Sequence, residues 1–311
     1  MRADQESLSA VAGEPAPPAG DRHPGERARR LWQRRSGGTL LLLLPAFIAL
    51  TLLFFLPIVR IAIQSFTEPE LGLHNYVAML TDDYSFRVLV RTLVVSGAVA
   101  LFGALFAYPY AYGMVLASPL VRAVMFTVVL VPLWTSMIAR NFAWVVLLQR
   151  NGPVTWLLEK VGIDLVLFGT PIGVGLAMSQ VLLPFIVLPM YTAMQQIDLG
   201  LLNAAGTLGA SKRRAFLRVF VPLSMPGVVA GVALAFVLAL GFFITPALIG
   251  RPQQALIAQL IRIRVSEQLD FGAAGALGIV LLVVTLLVMW LSTKISRRSM
   301  VPTDVAGMVQ K

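Results

Sequence analysis

Residues 203–227 read NAAGTLGASKRRAFLRVFVPLSMPG, a short cationic segment set between two of the most apolar stretches of the chain. Upstream, residues 165–197 contain no Asp, Glu, Lys or Arg, and downstream residues 219–250 contain none. Each run exceeds the roughly 20 helical residues that cross a hydrocarbon core of about 30 Å. The basic segment is therefore a loop joining two membrane spans. Working outward, residues 36–59, 92–121 and 271–293 are equally free of charge, and residues 123–149 are interrupted only by Arg140. Without water in the bilayer core, backbone groups must pair within a segment, and runs this long and evenly apolar read as helices, not alternating barrel strands. The fold class is all-α: a polytopic membrane protein with six transmembrane helices at about 39–63, 90–117, 122–149, 170–195, 222–246 and 271–293.

Composition agrees with that reading. Of 311 residues, 58% are hydrophobic and 13% charged, too few charges for a water-soluble globule, which carries roughly 25%. The first apolar run is too long for a secretion signal, lies behind a polar stretch and is followed by no small-residue cleavage pattern, so it reads as a retained helix. Cysteine is absent, which removes disulfides and thiol chemistry. The net charge of +10 could suggest nucleic acid, but the basic residues are spread over loops without an aromatic-interleaved motif. Lys and Arg are concentrated in the N-terminal tail, the loop 196–221 and the C-terminal tail, so the positive-inside rule places both termini in the cytoplasm. Residues 1–38 are rich in Pro, Gly and charge and are expected to be disordered. Their basic end, ERARRLWQRRSGG, suits anionic lipid headgroups. Residues 296–311 form the second cytoplasmic tail.

No pattern for covalent or metal chemistry survives. The two histidines, His23 and His74, lie in the tail and an external loop, and GVGLAM at 173–178 lacks the third glycine of a dinucleotide fingerprint. No GxxxxGK[ST] occurs, so nucleotide energy would have to come from another subunit. Polar groups inside spans are costly and therefore mark function more often than other positions. They are Trp134, Arg140, Asn141 and Trp144 in the third span, and Gln180 and Tyr191 in the fourth. Arg140 follows Arg122 by 18 residues, about 27 Å along a straight helix, which puts it near the outer face. Snorkelling to headgroups and lining the mouth of a path are both open to it. A helix–helix hydrogen bond explains Gln180 as well as a solute contact does. Gly227 and Gly231, Gly169 and Gly173, and Gly272, Gly275 and Gly278 recur at spacings that let helix backbones approach.

The loop itself divides into two short helices. Asp198 caps the first, whose Leu201, Leu202, Ala205 and Leu208 share a face; Gly209 follows in the left-handed conformation, and Ser211 caps the second. There Phe216 and Phe220 share one face and Arg214 and Arg218 another, and Pro222 opens the fifth span. Taken alone, this basic elbow reads equally as an anchor that sets membrane orientation.

The spacing resembles the signature of ABC-importer permeases, EAA followed by three residues, Gly, nine residues and I-x-L-P. Asn203, Ala204 and Ala205 stand at EAA, Gly209 at the glycine, and Val219, Val221 and Pro222 at I, L and P. PLWTSMIARNFAWVVLLQRNGPV, VLLPFIVLPMYTAMQQID and LALGFFITPALIG are similar to segments of spermidine/putrescine permeases, shared in weaker form by importers of iron, thiamine, sulfate and other solutes. The resemblance implies a type I, MetI-like permease fold in the bacterial inner membrane, with no catalytic residue, metal or cofactor in this chain. It implies a heterodimer with a second permease, two ATPase subunits that hold ATP and Mg²⁺, and a periplasmic binding protein. It makes Asn203, Ala204, Ala205, Gly209, Phe216, Phe220 and Pro222 the surface that meets the ATPase. Asn203 departs from the pattern, because an amide replaces the family's carboxylate. The rival reading, a nucleotide-independent secondary transporter, expects a charged ion site in mid-membrane, and the spans contain no acid.

Overall fold

The computed structural model describes the backbone of residues 24–299 and the side chains of residues 43–296. Every regular element among them is helical. Helix α1 is Pro24–Thr67. Residues 24–38, expected to be disordered, are therefore helical, while residues 1–23 and 300–311 of the two expected tails lie outside the described residues. Pro24 suits a first helical position, and Glu26, Ala28, Leu31, Gln33 and the arginines are strong helix formers. A helix nucleated in the membrane extends through such residues at little further cost. The chain falls into two compact units with their boundary between Val59 and Arg60. The first unit is α1 up to Val59, with exposed apolar side chains such as Phe47, Leu50 and Leu53.

The second unit begins at Arg60 and holds all later elements. Helix α2 is His74–Thr81 and α3 is Asp83–Leu116, capped by Asp82, whose carboxylate accepts from the Tyr84 and Ser85 amides. Arg122 donates to the Met114 and Ala117 carbonyls at 3.0 and 2.9 Å and so closes the C-terminal end of α3. Helices α4, Pro119–Trp134, and α5, Met137–Leu148, occupy the expected third span, followed by α6, Pro153–Lys160. Thr170 caps α7, Pro171–Met194, by accepting from the Gly173 amide at 3.1 Å.

The elbow contains α8, Gly200–Thr207, and α9, Lys212–Ala215. A π-helical turn, Phe216–Phe220, joins α9 to α10, Val221–Leu240. After α11, Ile244–Ile249, a 3₁₀ turn leads to α12, Ile257–Ser266, and the last helix, α13, is Phe271–Ser299.

The core lies where α3, α7 and α10 pack on one another. Ala104, Ala107 and Ala111 of α3 meet Ile186, Val187 and Met190 of α7 and Ala235 of α10. Gly227 and Gly231 set the approach of α10 to α7, because a Cβ at Gly231 would stand 2.8 Å from the Ile186 carbonyl oxygen. On α13, Gly275 likewise admits the Ile61 carbonyl oxygen, at 2.9 Å from where a Cβ would be. Gly169 and Gly173, by contrast, are no helix-packing pair: Gly169 precedes α7 and takes φ +74°.

Two spans differ from straight helices. The third, expected to be continuous over 122–149, turns by 101° between α4 and the segment Met137–Lys160 that begins with α5. Pro132 has no N–H for the ladder, Thr135 and Ser136 leave helical geometry at ψ 149° and 127°, and Ser136 caps the new helix at the Ala139 amide. The linear rise that carried Arg140 to the outer face does not apply across that turn. The fifth, expected over 222–246, neither starts nor ends there. Helix continues from Lys212 through Leu240, so Pro222 lies within it. The π turn absorbs the proline, since the Val221 amide bonds back to Phe216 and the helix changes register where the Pro222 ring would meet a carbonyl. Gly241 ends α10 before residue 246.

Candidate functional site

Asp198 Oδ1 accepts from the Gly200 amide at 2.8 Å, and α8 begins at Gly200. At its far end the Gly209 amide bonds the Gly206 carbonyl at 3.0 Å and the Ala210 amide bonds the Ala205 carbonyl at 3.0 Å, with Gly209 at φ +85°. This is the left-handed glycine closure expected of the sequence. The Ala204 carbonyl also accepts from Thr207 Oγ1 at 2.8 Å, so Ala204, Ala205 and Gly206 supply the acceptors that hold the turn. Ser211 Oγ accepts from the Arg214 amide at 3.4 Å and starts the second arm. Asn203 and Ala204 are exposed on the first arm, and Leu208, 89% exposed, forms the apex.

Phe216 and Phe220 do not offer a docking face. Phe220 is fully buried, the two rings stack at 5.5 Å, and Tyr112 of α3 meets them edge-on at 5.1 and 4.9 Å. Tyr108 adds an edge contact to Phe216 at 6.4 Å and a hydroxyl bond to Ser224 at 3.0 Å. The expectation that these phenylalanines touch a partner does not fit Phe220, which packs inward at the π turn, while Phe216 is half-buried against Tyr112. The outer face is carried by Leu201, Leu208, Leu217 and the basic residues Lys212, Arg213, Arg214 and Arg218. Tyr108 and Tyr112 went unnoticed in the sequence, although their spacing of four on α3 matches that of Phe216 and Phe220.

The transmembrane polar residues separate into distinct settings. Trp144 Nε1 donates to Gln180 Oε1 at 3.3 Å and ties α5 to α7. Asn141, the fifth residue of α5, is fully buried and donates Nδ2 to the Met137 carbonyl at 2.8 Å. Its Oδ1, together with Nε and Nη1 of the neighbouring Arg140, is buried without a hydrogen-bond partner among the described residues. Trp134, 88% exposed, ends α4 just before the bend. Tyr191 is packed in the core with Phe126 edge-on at 4.9 Å, so its ring offers no open face to a solute. Thr245, missed in the sequence, is fully buried on α11, which packs on α5, and its Oγ1 is also unpartnered. Gly241 and Pro246, five apart in an apolar run, were the signal of that break. No cluster of His, Cys, Asp or Glu able to hold a metal ion occurs among the described residues.

Comparison with known proteins adds independent findings. Residues 100–301 match the family described as binding-protein-dependent transport system inner membrane component. The spermidine/putrescine transport system permease protein PotB of Salmonella typhimurium is 31% identical over 237 residues, covering 74% of this chain and 82% of that protein. PotB of Escherichia coli is also 31% identical over 237 residues, covering 74% of this chain and 86% of its own. Among solved structures, a chain of the bacterial alginate ABC transporter in complex with an alginate pentasaccharide-bound periplasmic protein superposes with a TM-score of 0.68 at 22% identity. That superposition covers 86% of this chain and 98% of the other, and establishes a shared helical fold.

Proposed function

The chain belongs to the binding-protein-dependent transport system inner membrane components, and from that premise we infer that it is the permease subunit of an ATP-driven importer for a polyamine such as spermidine or putrescine. It is a multi-pass inner-membrane transport subunit and not an enzyme. The single observation that carries the substrate class is the 31% identity to PotB across 74% of the chain.

In this reading a second permease, two ATPase subunits and a periplasmic binding protein complete the machine, with ATP and Mg²⁺ held by the ATPases. The termini and the elbow face the cytoplasm. Closure of the ATPase pair on ATP pushes the elbow, and hydrolysis resets it. Rigidity supports the reading: the Gly209 turn and the clamp of Phe216 and Phe220 on Tyr112 leave little slack between the elbow and α3. A displacement at the elbow therefore moves the second span. Trp134, Arg140, Asn141 and Trp144 belong to the broken third span and Gln180 bonds Trp144 from α7, and discontinuous helices of transporters are where solutes bind, which supports a path here. No acid lies in the spans to hold a polyamine, so recognition falls to the binding protein and the partner permease, with Trp134 available for a cation–π contact.

The test is purification through a tag on this chain, followed by reconstitution in lipid vesicles. An ATPase should copurify, hydrolysis should rise when the cognate binding protein is added, and labelled spermidine or putrescine should accumulate only with ATP. ATP-independent uptake, or ATP-driven uptake of a different solute with polyamines excluded, would refute the respective part.

A further inference from the structure

The outer face of the elbow carries charge of one sign that the fold does not use. Lys212, Arg213, Arg214 and Arg218 are exposed, and the ion pairs among the described residues join other groups: Arg87 with Asp83, Arg262 with Glu267 and Arg264 with Asp270. Residues 199–266 contain no Asp or Glu, and the elbow's one acid, Asp198, accepts from the Gly200 amide at 2.8 Å. Lys212, Arg213 and Arg214 also occupy the first turn of a helix that continues to Leu240. The aligned peptide dipoles make that end positive, which disfavours cations and favours acids. Three consecutive basic residues there oppose local stability, and an anionic partner would offset that cost.

Two anionic partners are available to these cations, the lipid headgroup layer and a protein surface. Lys212 precedes Val221, where the apolar helix begins, by nine residues, about 13 Å at 1.5 Å per residue. The headgroup layer on one side of a bilayer is only about 5–8 Å thick. Arg218 lies nearest the start of the apolar helix, and Lys212, Arg213 and Arg214 stand four to six residues further from it. Between the same cations and the first arm, the Gly209 turn presents Leu208 almost fully exposed. An apolar knob collared by cations fits a protein socket with an acidic rim, and an anionic lipid surface is the rival that the experiment separates from it.

We propose that the elbow docks on its ATPase subunit through charge of a single sign: Leu208 enters an apolar socket whose rim is lined by carboxylates, and Lys212, Arg213 and Arg214 meet that rim. This rests on the coupling reading of the elbow and adds the chemistry of the partner's groove. Docking of this kind is sensitive to salt, since screening lengths fall from about 10 Å at 0.1 M to about 3 Å at 1 M.

The experiment uses the full complex, captured through this chain in nanodiscs, with ATPase retention measured against salt. Between about 50 and 500 mM NaCl, wild-type retention should fall at least about fivefold. The triple variant Lys212→Gln, Arg213→Gln, Arg214→Gln should lose at least about tenfold in retention at low salt, while the permease's own thermal unfolding temperature stays equal or rises, because the helix end is relieved of cations. Lys212→Arg, Arg213→Lys, Arg214→Lys should retain the ATPase. Wild-type retention by the Gln variant overturns the proposal. So does a Gln variant that keeps its ATPase and loses activity only in vesicles of about 30% phosphatidylglycerol and not in phosphatidylcholine, which assigns the cations to lipid. If Gly209→Asp uncouples the complex while the Gln variant behaves as wild type, the charge proposal fails and coupling stands. If no ATPase copurifies with the wild type, both fail.

Discussion

Gly209 sits at φ +85° with open space around it, so its backbone and not crowding excludes a side chain. A residue with a Cβ in that conformation is destabilised by about 1–2 kcal/mol. Gly209→Asp should therefore insert normally yet reorient Leu208 and the second arm, abolishing ATP-driven uptake in vesicles; normal uptake would remove the elbow from the coupling path. Asp82 shows a different residue-scale effect. The Ser85 hydroxyl at 2.6 Å and the Ser85 amide at 3.0 Å donate to it and hold its carboxyl below its ordinary value of 3.8. A lowered folded value stabilises the native state above pH 3.8, and that stabilisation is lost as pH falls through the lowered value. Asp82→Ala should reduce the unfolding temperature by about 2–4 °C at pH 7, and the difference from wild type should shrink in acid below about pH 3.8.

At the scale of elements, the long helix Lys212–Leu240 ties the elbow to the membrane without a joint. Its π turn points Phe216 and Phe220 at Tyr112, making a mechanical contact between α9, α10 and α3. Phe216→Ala removes one ring from this clamp. The expected outcome is an unfolding temperature lower by about 2–5 °C, as for loss of part of a buried aromatic contact, with ATP hydrolysis retained and uptake per ATP reduced severalfold. Unchanged uptake per ATP would show that motion reaches the spans by another route. The same scale shows which patterns in the sequence were readable. Gly227 and Gly231 recur at helical spacing and do pack α10 on α7, because both lie within one helix. Gly169 and Gly173 carry the same spacing and do not, because Thr170 and Pro171 start a helix between them. Spacing alone does not distinguish the two cases.

For the whole molecule, the absence of cysteine makes topology directly measurable. A single cysteine at Val161→Cys, a position 72% exposed, should react with a membrane-impermeant maleimide from the periplasmic side of intact cells. One at Ser211→Cys should react only in inverted vesicles. The opposite pattern would invert the orientation drawn from basic residues and place the elbow away from any ATPase.

Hydropathy by itself determined that this chain is a helical membrane protein, because a bilayer forces every backbone group to pair within its own segment. Loop composition and glycine chemistry likewise determined the Gly209 turn, a local property of φ and hydrogen bonding. Only the tertiary structure decided that the third span bends by 101°, that Pro222 lies inside a helix and that Phe216 and Phe220 face inward. Those outcomes depend on which surface a side chain meets after packing. Tyr112 lies 104 and 108 residues away from the two phenylalanines, and Thr245 shares the α5–α11 contact with residues about a hundred positions earlier. Periodicity reports which residues share a face of one helix; it holds no record of the neighbour that the face will bury against.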